Sequence, residues 1–332
     1  METRSFGRSG LQVSVLGFGC GAVGGLMVRG TEAEQERAFS RALDAGITYF
    51  DTAAIYGDGL SEQNLGKVVR RVKPRNFVYG TKVRIQSAEK GNIRGAIKAS
   101  VEASLKRLGM ERCDILHLHN PITKDGEKNF LTAAQVTGEV IPAFEALQWE
   151  GKIGVAGLTA TGDTSEIIKA IDTGKFESAQ VSYNMLNPSA ATTLPQNYPA
   201  QDYGQLFTHT QAKGTGVIGI RILAGGALSG SAAREPYASP PPDPIGSAMS
   251  FDADVTRARR FTPLIEEGHA KSLTELATRF AISAPAMGTA LMGLATLDQL
   301  EQAIAAAEKG PLPAAALKRI AEIQASFAGE AR

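Results

Sequence analysis

The chain has 332 residues, 43% of them hydrophobic and 21% charged, with 35 Lys plus Arg against 34 Asp plus Glu. That is ample material for a buried core, and the near-zero balance offers no general field to grip a nucleic-acid backbone or an anionic lipid surface. Two cysteines, Cys20 and Cys113, are too few for a disulfide framework, the first residues lack an apolar signal core, and no apolar run reaches the ~18 residues of a membrane span, so the reading is cytoplasmic.

The first β-rich run is residues 13–18, and Gly17-Phe18-Gly19-Cys20-Gly21-Ala22 lies across its end. This matches G-x-G-x-x-A, but a dinucleotide fingerprint of the doubly wound type needs a helix starting at the glycines. Here the next helix opens only at Thr31, so the segment reads as a glycine-rich loop over a site. Thr31 and Glu34 form a capping box, Ala38, Phe39, Ala42 and Leu43 share one face, and Gly46 stops the helix. A strand at 47–50, a helix at 61–72, a strand at 77–83 and a helix at 93–108 follow. In that last helix Ile93, Ile97, Val101, Leu105 and Leu108 recur at helical spacing until Gly109.

Further strands read as residues 113–119, 154–159, 179–183, 217–222 and 289–292, making eight. Spaced roughly 40 residues apart, eight βα units predict a closed (β/α)8 TIM barrel, here one domain over 1–332. Pro- and Gly-rich insertions at 187–204 and 230–253 become long loops at the C-terminal face. The tail from Pro313, with Leu317, Ile320 and Ile323, predicts an extra C-terminal helix outside the barrel.

Three apolar strands end on ionisable residues: Asp51 after Ile47-Thr48-Tyr49-Phe50, Lys82 after Val78-Tyr79-Gly80-Thr81, and His119 after Ile115-Leu116-His117-Leu118. Each alone is a rim residue or an ion-pair member. Parallel strands of a barrel bring all three to one mouth, with Tyr56 on a glycine-containing loop beside them. A tyrosine that protonates a carbonyl oxygen has too high a pKa at about 10, and an adjacent cation lowers it. Lys82 supplies that cation, Asp51 holds Lys82, and His119 can donate to the same oxygen. No side chain supplies hydride, so the set implies a nicotinamide cofactor.

At these residues the sequence resembles an aldo-keto reductase. The resemblance runs from Phe6-Gly7-Arg8-Ser9-Gly10-Leu11 to Gln299-Leu300-Glu301, with Gly46-Ile47-Thr48-Tyr49-Phe50-Asp51-Thr52-Ala53, Tyr56-Gly57, Ser61-Glu62 and Leu65-Gly66 similar to the first family signature. His119-Asn120-Pro121 resembles its His-x-Pro. The resemblance implies Asp51, Tyr56, Lys82 and His119 as the catalytic tetrad, with Tyr56 as proton donor to a carbonyl that receives hydride from NAD(P)H.

It also implies cofactor contacts. Gly19, Cys20 and Gly21 lie at the first loop, beside Asp51. Thr159-Ala160 replaces the family's Ser-Asn pair on the nicotinamide carboxamide, and Gln180 matches its Gln. No aromatic follows the seventh strand, and Arg221 stands there to cover the ring, touch a phosphate or pair at the rim. Leu223, Gly225 and Leu228 resemble the loop closing over the pyrophosphate. Gly293, Thr296, Gln299, Gln302 and Ala303 stand where many members hold the 2′-phosphate and adenine, without a basic residue, so NADP(H) and NAD(H) remain equal expectations. The substrate is a small carbonyl compound or sugar, with no nucleic-acid or membrane partner; the oligomeric state is unreadable. Two rivals compete: a cofactor-binding regulatory subunit like the family's channel-associated members, and a metal-dependent barrel hydrolase suggested by His117-x-His119.

Overall fold

The computed structural model describes residues 1–331. A two-stranded antiparallel hairpin, β1 (Thr3–Ser5) and β2 (Gln12–Ser14), precedes eight parallel strands. These are β3 (Leu16–Gly19), β4 (Tyr49–Asp51), β5 (Val78–Val83), β6 (Cys113–Leu118), β7 (Ile153–Thr159), β8 (Ser178–Ser182), β9 (Gly216–Ile220) and β10 (Met287–Gly293). They close into a barrel in the order β10-β3-β4-β5-β6-β7-β8-β9, with helices between them, as the βα alternation predicts. The capping box at Thr31 forms as expected, with Glu34 Oε2 accepting from the Thr31 amide at 2.9 Å.

The expected strand at 13–18 is two elements. Ser14 turns its side chain to the Leu16 carbonyl at 2.6 Å and its amide to Thr48, so the chain breaks from the hairpin into the barrel there. The hairpin is a plug. Phe6 and Val13 are fully buried with Tyr49, Ile115, Val155 and Ile218 inside the barrel, a small core separate from the larger one between strands and helices. Glycines make its seat: a side chain at Gly216 or Gly288 would come within 2.8 or 2.9 Å of the Phe6 ring.

Strand alternation then sorts the interior. Outward-facing Phe50 packs on Phe39 at 4.6 Å between ring centroids, while Tyr49 and Asp51 point inward. Apolar residues fill the N-terminal end of the barrel, and polar ones, Asp51, Lys82, Thr159 and Gln180, fill the C-terminal end.

The 230–253 insertion lies where expected and is a strap. It leaves β9, spans β10 and is tied to the first helix, Leu26–Arg29: Arg29 Nε donates to the Tyr237 carbonyl at 2.7 Å and the Ser239 amide to the Val23 carbonyl at 2.9 Å. The tail forms the helix Ala314–Ala325. Among the described residues no helix is long and apolar enough to cross a membrane.

Candidate active site

Asp51 ends β4 and Lys82 lies one residue before the end of β5; the register sets Asp51 opposite Gly80, so that the next inward position on β5 is Lys82. A side chain at Gly80 would strike the Tyr49 hydroxyl at 2.6 Å, and its absence lets that hydroxyl donate to Asp51 Oδ2 at 2.8 Å. Gln180 Nε2 donates to the same oxygen at 2.5 Å, and Lys82 donates to Oδ1. Both members of this ion pair are buried.

The Lys82 ammonium has three hydrogens, and three acceptors surround it. They are Asp51 Oδ1, the Thr52 carbonyl at 2.8 Å and the Tyr56 hydroxyl at 3.2 Å. Burial pulls the ammonium down, but the charge of Asp51 and the pairing with Tyr56 outweigh it and hold its pKa above the ordinary value. His119, just past β6, meets Tyr56 edge to face at 5.9 Å and 88°. The four expected residues are thus brought together at one mouth.

One expectation is corrected. Lys82 does pull the Tyr56 pKa down, but burial pushes harder the other way and Asp51 adds to it, so the phenol sits above its ordinary value and stays protonated near neutrality. His119 is pushed down to about 3 by burial, then by the charges of Lys82 and Arg84, and is neutral. An unfolded histidine takes up a proton near pH 6.5 and the folded one does not, so between pH 6.5 and about 3 the unfolded state binds more protons and stability falls as pH falls. Thermal unfolding of the wild type and His119→Gln across this window should show a shallower acid loss in the variant; parallel profiles would remove His119 from the effect.

The residues behind the site were not foreseen. Glu62, fully buried, accepts from Thr81 at 2.5 Å and from Arg107 at 2.6 Å, and so fixes the strand carrying Lys82. Ser61 donates to the Cys20 carbonyl and lies 2.8 Å from the Thr52 hydroxyl. The Ser61-Glu62 pair of the signature was the available signal.

The residues expected at the cofactor divide into two groups. Thr159 Oγ1 and Ser182 Oγ are buried at the mouth without a hydrogen-bond partner, and Gln180 has one amide hydrogen committed to Asp51. Buried orphan hydroxyls of this kind fit an amide-bearing ligand. A side chain at Gly21 would lie 3.7 Å from the Tyr56 ring, so the first loop borders the tetrad; the Cys20 thiol there is fully buried and pushed far up by that burial. Leu223, Gly225 and Leu228 belong to a turn in which Ala224, Gly225 and Gly226 have φ of 48°, 69° and 111°; Leu228 is buried in the core and can reach a ligand through its backbone alone.

Thr296 caps the helix Leu297–Glu308, and Gln299 Oε1 accepts from the Ala295 amide at 2.8 Å, so both side chains do capping work. Gly293 and Gln302 are exposed. Beside Thr296 is a cavity of about 90 Å³ that also contains Glu34, Arg37 and Tyr237, with Tyr237 donating to Glu34 Oε2 at 2.9 Å. Sequence spacing gave no sign that Arg37 reaches this point. Arg221 forms no ion pair among the described residues, against its reading as a rim pair. His117 Nε2 is 2.8 Å from Ser178 Oγ inside the barrel, and among the described residues no three His, Cys, Asp or Glu side chains gather as a metal site.

The chain is similar to L-galactose dehydrogenase from Arabidopsis thaliana, 27% identical over 92% of this chain and 88% of the relative. It is also similar to a putative voltage-gated potassium channel subunit beta from Schizosaccharomyces pombe, 27% identical over 96% and 92% of the two chains. The solved structure of aldo-keto reductase AKR11C1 from Bacillus halodurans (holo form) superposes with a TM-score of 0.70 at 26% identity, covering 97% of this chain and 96% of that one. With a model of the Aldo/keto reductase family matching residues 15–325, the chain belongs to that family.

Proposed function

We propose that this protein moves hydride between the nicotinamide of NADH or NADPH and the carbonyl carbon of an aldehyde, a ketone or a sugar, with Tyr56 giving or taking the proton. The observation that carries this reading is the saturation of Lys82. Its donation to the Tyr56 oxygen leaves the phenol hydrogen free to point toward the mouth, where neutral His119 can hold the same carbonyl oxygen. The raised pKa of Tyr56 keeps that hydrogen in place for reduction, and Lys82 stabilises the phenolate left behind.

The bound dinucleotide supplies the hydride acceptor or donor. Thr159 and Gln180 would hold its carboxamide, Gly19, Cys20 and Gly21 would line the loop beside it, and the backbone at Leu223, Gly225 and Leu228 would serve the phosphates. Gly293, Thr296, Gln299 and Gln302 would stand at the adenosine end. There Arg37 is suited to pair a 2′-phosphate and Glu34 to accept from ribose hydroxyls. The test is parallel titration with NADH and NADPH, read by nicotinamide fluorescence because Trp149 is 89% exposed and faces solvent, followed by aldehyde turnover with each. Binding and turnover with at least one form are expected, and Arg37→Ala should weaken NADPH more than NADH. Binding without turnover of any carbonyl would favour the regulatory reading that the channel-subunit relative suggests, and binding of neither would overturn the proposal.

A further inference from the structure

Most of the buried or half-buried arginines of this chain are matched by acids: Arg107 by Glu62, Arg41 by Glu301, Arg257 by Glu330 and Arg279 by Glu275. Arg84 is not. Its Nε is buried without a hydrogen-bond partner, and among the described residues its guanidinium meets no carboxylate. A buried polar nitrogen left unmet costs about 1–3 kcal/mol, so such a group is kept where something outside the chain satisfies it.

Its position says what that something faces. Gly80 and Lys82 point into the barrel on β5, and Arg84, two residues on, leaves the strand in the same phase at the mouth. Asn120, the neighbour of His119, holds this segment still: its Oδ1 accepts from the Ile85 amide at 2.9 Å and its Nδ2 donates to the Ile85 carbonyl at 2.8 Å and to the Asn129 carbonyl at 2.6 Å. The charge of Arg84 is felt at His119. Lys82 is neutralised by Asp51 and His119 is uncharged, so Arg84 brings an uncompensated positive charge to the His119 side of the mouth. Arg221, which likewise forms no ion pair among the described residues, stands just past the end of β9, four strands away around the ring in either direction, next to the glycine turn at Gly225. It belongs to the side where the dinucleotide phosphates are expected, and Arg84 to the opposite one.

We propose that Arg84 is a specificity-determining residue that binds a carboxylate on the substrate, so that the protein prefers carbonyl compounds bearing an acid group over their neutral counterparts. This rests on the proposed function for the reacting carbonyl, but the anion site itself is measurable without turnover. The probe pair is 4-carboxybenzaldehyde and its neutral methyl ester, methyl 4-formylbenzoate, titrated by calorimetry into the protein saturated with oxidised cofactor and into the protein alone. Wild type should bind the acid about 10- to 100-fold more tightly than the ester, as charge-assisted bonds to a guanidinium allow. Arg84→Gln should erase that preference and leave the ester unchanged, Arg84→Lys should retain part of it, and Arg221→Gln should leave it intact. Equal binding of acid and ester by wild type, binding of neither, equal loss of both in Arg84→Gln, or loss confined to Arg221→Gln would each overturn the proposal. Should the hydride-transfer reading alone be wrong, neither aldehyde is turned over while the acid preference persists in the calorimeter.

Discussion

Replacing Tyr56 by Phe should lower carbonyl reduction by about 10²- to 10⁴-fold, the range over which a positioned acid acts, while leaving cofactor affinity unchanged. The variant keeps the ring and its edge-to-face contact with His119. It removes one hydroxyl, which accepts the third Lys82 hydrogen and, in the proposed reaction, gives its own hydrogen to the carbonyl. Stability should fall by about 1 kcal/mol, the ordinary worth of one hydrogen bond. Steady-state rates, cofactor titration and denaturant unfolding on the same preparation separate these effects. A variant that turns over at the wild-type rate would take the proton away from Tyr56.

Replacing Asp51 by Asn should have the largest effect on the fold. Lys82 lies within the barrel, and its ammonium is held charged by Asp51 against the pull of burial. Breaking such a pair from one side costs about 3–5 kcal/mol, because the remaining charge has no water and no counter-ion. The amide can still accept from Tyr49, but Lys82 then tends to lose its proton, and with it the cation beside Tyr56. Activity and stability should therefore fall together in Asp51→Asn. In the double variant Asp51→Asn with Lys82→Met, no orphan charge remains, and most of the stability should return while activity stays lost. Denaturant midpoints of the three proteins test this, and an Asp51→Asn protein as stable as wild type would show that the pair does not act as a buried unit.

The eight strands and the mouth could be read in the sequence because period and position carried them. Apolar runs of strand length alternated with helical faces, and Asp51, Lys82 and His119 each ended such a run where an ionisable residue has no packing reason to be. What escaped was set by contacts between distant segments. The hairpin strands are three residues each, too short for a periodic signal, and the merging of β2 with β3 into one expected strand hid the break that Ser14 makes at Leu16. The sign of the Tyr56 shift depends on how completely the loop is covered, which no spacing reports. Glu34 is legible in the sequence only as half of a capping box and Arg37 not at all, because the residues that meet them, Thr296 and Tyr237, lie far along the chain. Arg84 differs from most of the half-buried arginines in having a buried Nε with no hydrogen-bond partner, and a lack of partner is visible only in three dimensions.

The Phe6 plug has a bearing on biosynthesis. Phe6 is made well before its seat: the glycines that receive it are at 216 and 288, and β3 pairs with β10, which ends at Gly293. At synthesis rates of 5–20 residues per second, roughly 15 to 60 s separate the emergence of that phenylalanine from the emergence of its seat. Throughout that interval the nascent chain carries an uncovered aromatic at Phe6 and an open strand edge at β3, and the ring can close only as the last strand appears. The hairpin of β1 and β2 is thus open to chaperones and to mispairing while the polypeptide is still attached to the ribosome.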